Sequence, residues 1–139
     1  MPATSSVQAA DVPSIEDVRR LALRLPETGE RPSYGGVPAW HVRRKGFVWE
    51  RPLRGADRTA LGEAAPEGVV VGFAVADLGV KEALLAVEQG VFTIPHLDDY
   101  PAVLVALDDI PRILLEELVV DAWLAKAPKR LAAALLAER

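Results

Sequence analysis

In "SIEDVRRLALRLP" apolar residues fall at Ile15, Val18, Ala22 and Leu25, with Leu21 beside them and polar residues between. That spacing matches the period of an α-helix and predicts an amphipathic helix over 14–25. Ser14 stands where an N-cap belongs, Asp17 three residues on completes a capping box, and Pro26 stops the run. The period then changes. "ERPSYGGVPAW" reads as two short extended pieces around a Gly35-Gly36 turn. "AWHVRRKGFVWERP" predicts a hairpin with strands near 38–43 and 47–52. A two-residue turn at Arg44-Lys45 or Lys45-Gly46 puts Trp40, Val42, Phe47 and Trp49 on one face, and His41, Arg43, Val48 and Glu50 on the other. Lys45-Gly46 is the preferred turn, since it supplies glycine where a positive φ is wanted. The tryptophan face is expected to share one core with Leu21, Leu114 and Leu118. The parity of Arg51 sets it beside the tryptophans, at the end of the hairpin away from the turn.

Further along, "RGADRTALG" is a short helix at about 54–62, and "EGVVVGFAV" is a strand at 68–75. "ADLGVKEALLAVEQG" reads as a helix from Asp77 as N-cap to Gly90, with Val80, Leu84 and Val87 inward. "VFTIP" is a short extended piece, "HLDDY" a turn, and "PAVLVAL" a strand at 101–107. A strong helix starts near Asp109 with Pro111 in its first turn and Leu114, Leu118 and Ala122 on one face. A last helix restarts after Pro128, with Leu131 and Leu135 inward. Short hairpins without regular βαβ alternation predict an α+β fold. The expected architecture is a single two-layer domain over 14–139, with an antiparallel sheet of about five strands packed by N- and C-terminal helices. A flexible tail is expected over 1–13.

Composition narrows the class. Half of the 139 residues are hydrophobic and 26% are charged, which fits one globular domain. Cysteine is absent, which excludes disulfides, thiolate metal sites and a cysteine nucleophile. The N-terminal stretch lacks a basic segment followed by an apolar run, and no uncharged apolar run approaches the ~20 residues that span a bilayer. The expectation is a cytoplasmic protein without a membrane partner. The formal charge is −4, from 16 basic and 20 acidic residues, and the pI is about 5.2. Residues 31–58 nevertheless hold seven Lys/Arg against two acids, a local +5 that leaves −9 for the rest. Such asymmetry hints at a polyanion-facing surface.

Constellations for catalysis are poor. His41 and His96 are far apart in sequence and show no metal-ligand spacing. His96 near Asp98-Asp99 reads as a turn histidine rather than a base and its orienter. The acidic pairs Asp98-Asp99, Asp108-Asp109 and Glu116-Glu117 read as turns, an N-cap and a solvated helix face. No catalytic residue, metal or cofactor is expected. Lys129-Arg130 in the first turn of the last helix oppose the helix dipole; side chains that point to water or pair with a nearby acid are the favoured account, and a bound anion is the alternative.

Three stretches, "YGGVPAWHVRRKGFVWERP", "PHLDDYPAVLVALDDI" and "DAWLAKAPKRL", resemble in order and spacing the MmcQ/YjbR family over about 14–136. One extra residue lies between Gly35 and Pro38 relative to the family pattern. The resemblance implies a compact α+β domain like the CyaY-like and secretion-chaperone-like folds. It also implies DNA binding through a double-wing motif, with Arg43, Arg44 and Lys45 matching the basic hairpin and Lys129 and Arg130 the terminal motif. The resemblance, more than the local charge, thus implies a non-enzymatic DNA-binding protein, weak and mainly phosphate-directed. Arg43, Arg44, Lys45, Arg51, Arg54, Lys129 and Arg130 are its expected contacts. The alternative is a protein–protein interaction module of secretion-chaperone-like fold. The oligomeric state is left open.

Overall fold

Alternation and helical spacing resolve into six strands and five α-helices in the computed structural model, which describes residues 12–138. In chain order these are α1 (Ile15–Leu23), β1 (Thr28–Pro32), β2 (Pro38–Val42), β3 (Lys45–Glu50) and α2 (Gly55–Leu61). Then follow β4 (Val70–Ala74), α3 (Leu78–Val87), β5 (Val91–Phe92), β6 (Ala102–Ala106), α4 (Arg112–Lys126) and α5 (Lys129–Glu138). The sheet is antiparallel throughout, in the order β1-β2-β3-β4-β6-β5. The tail expected over 1–13 lies outside the described residues except for Val12 and Pro13, and Pro13 is already buried.

One face of the sheet carries the main core. Trp40, Val42, Phe47, Val48, Val71, Phe73, Val103 and Val105 meet Val18 and Ala22 of α1 and Leu114, Leu115, Leu118 and Trp123 of α4. Removing that much apolar surface from water is the dominant stabilising term. Ser14 and Asp17 form the expected capping box, and Asp17 also takes ion pairs from Arg20 (2.9 Å) and from Arg112 at the start of α4 (3.0 Å). Burial pushes the Asp17 carboxyl up. The Ser14 N–H bond and the two arginines outweigh that and hold its pKa at about 2. The sequence reading places α4 slightly early. Ile110 is extended and buried, so the helix begins at Arg112 with Pro111 as its N-cap residue.

On the opposite face a smaller cluster of Val70, Ile94 and Leu104 is covered by Leu53, Leu61 and Leu97. That cover leaves the β1–β2–β3 side of this face open. α3 departs from its expected orientation. Val80 and Val87 are exposed, and Lys81 is the buried residue. Its ammonium donates to the carbonyls of Leu97, Asp98 (3.4 Å) and Tyr100 (2.8 Å), so the helix is turned to clamp the 95–100 loop. Burial lowers the Lys81 pKa, while Asp98 and Asp99 act to raise it.

Candidate nucleic-acid interface

The hairpin does not turn where its glycine suggests. Val42 lies opposite Lys45 and His41 opposite Gly46, so the two-residue turn is Arg43-Arg44. Arg43 takes a positive φ of 55° there. Its N–H donates to the Glu27 carbonyl (3.1 Å) and its guanidinium pairs with the Glu27 carboxylate (2.7 Å). Contacts to the residue just before β1 thus hold an arginine in a conformation that glycine adopts more readily.

A bulge then changes the faces. Trp40 lies opposite Val48 and Ala39 opposite Trp49, which leaves Phe47 as an extra residue on β3. Phe47 and Val48 both enter the main core, and Trp49 moves to the open face. The expected core set of Trp40, Val42, Phe47 and Trp49 is therefore corrected: Val48 replaces Trp49. The Trp49 indole lies over Gly72 of β4, where an added Cβ would stand 2.4 Å from Cε2 of the ring. The other tryptophans are fully buried with their N–H groups bonded, Trp40 to Glu30 (3.0 Å) and Trp123 to the Pro26 carbonyl (3.1 Å). The Trp49 N–H donates to no group among the described residues.

The seven expected contact residues separate into two groups. Arg43, Arg44 and Lys45 line a cleft of about 360 Å³ together with Lys126 and Pro128 at the α4–α5 junction. Arg43 also lines a second cleft of about 390 Å³ with Glu27, Arg130 and Leu131. Lys129 is exposed beside them in the first turn of α5. Arg44, Lys45, Lys126, Lys129 and Arg130 form no ion pair among the described residues, whereas Arg43 is neutralised by Glu27. Lys126 is a cation of this cluster that the sequence reading missed. It lies more than 80 residues from the hairpin tip in the chain, and only the fold brings the two together.

Arg51 and Arg54 belong elsewhere. They line a groove of about 610 Å³ on the open sheet face with Trp49, both histidines and both tyrosines. Arg51 is tied down by Asp57 (3.1 Å) and by the Pro52 carbonyl (2.7 Å), so it is a structural cation in large part. Arg54 makes no ion pair among the described residues. Tyr34 is 86% exposed, carried outward by the Gly35-Gly36 turn, where both glycines take positive φ. Burial pushes the pKa of His41 below the ordinary histidine range, with Arg31 adding to the effect, and its buried Nδ1 bonds to no described group. Alternation with Trp40 and Val42 sets His41 on the open face, and the Lys81-held loop brings His96 to the same groove.

A family model for YjbR matches residues 23–125. The chain belongs to the YjbR family. It is 51% identical over 126 residues to uncharacterized proteins of Mycobacterium tuberculosis and Mycobacterium bovis, covering 88% of this chain and 95% of each of those. The YjbR fold is also that of a crystal structure from Deinococcus radiodurans with a DUF419 domain. That likeness has a TM-score of 0.57 at 18% identity, covering 81% of this chain and 78% of the other. Among the described residues, no helix is long and apolar enough to cross a membrane.

Proposed function

We propose that the chain is a DNA-binding domain, with a phosphate-directed, salt-sensitive contact at the hairpin tip and the α4–α5 junction. The observation that carries this reading is the gathering of Arg44, Lys45, Lys126, Lys129 and Arg130 at one end of an acidic molecule, without ion-pair partners among the described residues. Unpaired cations grouped on one surface attract a polyanion and release its counterions on binding. Groups that reach phosphates fix position and carry little sequence information, so the binding is weak and nearly indifferent to sequence.

Titration of a duplex oligonucleotide tests the reading, with wild type set against a variant in which Arg44, Lys45, Lys126 and Arg130 are changed to alanine. The variant is expected to lose at least tenfold in affinity for unrelated sequences alike. Unchanged affinity would move the contact off this cluster. If the wild type binds no DNA at low salt, the protein–protein interaction module takes the place of this reading.

A further inference from the structure

We infer that the open-face groove receives the unstacked bases of a single DNA strand whose phosphates lie on the hairpin cations. Three observations carry this. First, Trp49 is the one tryptophan of three whose ring is not fully buried and whose N–H is left without a described partner. Its ring lines the groove together with Tyr34, Tyr100 and the two imidazoles. Second, among the described residues that line the groove Glu50 is the single carboxylate, beside the unpaired Arg54 and the Asp57-held Arg51, in a chain that is acidic as a whole. Third, one contact links the groove to the hairpin cluster. Lys126, which lines the cleft beside Arg44 and Lys45, stands 6.0 Å over the ring of Tyr100, which lines the groove.

Aromatic rings set beside a cationic track are the chemistry by which single strands are held: base faces stack on the rings, and phosphates follow the cations. A duplex hides its base faces in its own stack, so it reaches the hairpin cations and leaves the groove empty. A volume of about 610 Å³ is also within the usual range for a site that takes flat organic groups.

This inference rests on the proposed DNA contact at the hairpin, and the test separates the two. Tryptophan emission is followed while a single-stranded or a duplex oligonucleotide is added. Trp40 and Trp123 are sealed from solvent, so quenching reports on Trp49. The single strand is expected to quench the emission and the duplex is not. Tyr34→Ala with Arg54→Ala is expected to weaken single-strand binding about tenfold or more while leaving duplex binding unchanged. Arg44→Ala with Lys45→Ala is expected to weaken both. Single-strand binding without quenching, and indifferent to the Tyr34 and Arg54 substitutions, would overturn the groove while leaving the hairpin contact standing. Equal quenching by a free deoxynucleoside monophosphate at similar concentration, or by a basic peptide in place of DNA, would also overturn it, since the occupant would then not be a strand.

Discussion

Trp40 and Trp49 stand nine residues apart on neighbouring strands, and they do different work. Trp40 is sealed in the main core and hydrogen-bonded to Glu30. Trp40→Ala is expected to destabilise by about 3–5 kcal/mol, the usual range for a buried aromatic. Trp49→Ala removes a ring that still meets solvent, so the loss is expected to be less than half of that, as chemical denaturation of the two variants would show. The seat of Trp49 is equally specific. A methyl group at position 72 would fall inside contact distance of the indole. Gly72→Ala is therefore expected to cost about 1–3 kcal/mol and to shift the tryptophan emission as the ring is displaced. An unchanged spectrum and melting temperature would contradict the placement of that ring.

At the scale of elements, two charged side chains hold pieces of the fold together. Asp17 joins α1 to α4 through Arg112, and its folded pKa of about 2 lies below the ordinary value of 3.8. A carboxyl with a depressed folded pKa contributes stability that is complete above the ordinary value and is lost as pH falls toward the folded one. Wild type should lose stability between about pH 4 and pH 2 more steeply than an Asp17→Asn variant, which lacks this titration. Parallel slopes for the two in acid denaturation would contradict the linkage. Lys81 holds the 95–100 loop through three carbonyls, and Lys81→Met keeps the stem but removes the donors. Hydrogen exchange is expected to show faster exchange at the amides of Leu97, Asp98 and Tyr100, with a loss of about 1–3 kcal/mol in stability.

These elements also show where the sequence was legible. Helical spacing and caps placed α1 and α3 to within a few residues, because Ser14 and Asp77 do locally what N-caps do. Alternation found the hairpin, but its turn and faces depend on contacts distant in the chain. Glu27 stabilises Arg43 at positive φ, and Gly72 gives the Trp49 ring a seat on the open face. A period-two reading cannot register one extra residue, so it sent Trp49 to the core and Val48 to solvent. The same limit hid the groove, which exists because the bulge and the Lys81 clamp act together. Lys126 escaped notice because its partners are brought to it by the packing of α4 on β3 and β4.

Over the whole molecule, charge is divided unevenly. The basic end lies on a chain of net charge −4, and among the described residues its cations form no ion pair except at Arg43. Surface cations of this kind contribute little to folding, so Arg44→Ala with Lys45→Ala should leave the melting temperature nearly unchanged. Their effect on binding a polyanion is read from salt. The most direct test is the affinity for a duplex oligonucleotide measured at several salt concentrations, for wild type and for this double variant. The account predicts that log K falls linearly with log salt concentration for both, and that the variant's slope is shallower by about two, one for each phosphate contact removed. Equal slopes for the two proteins would contradict a phosphate contact at the hairpin tip.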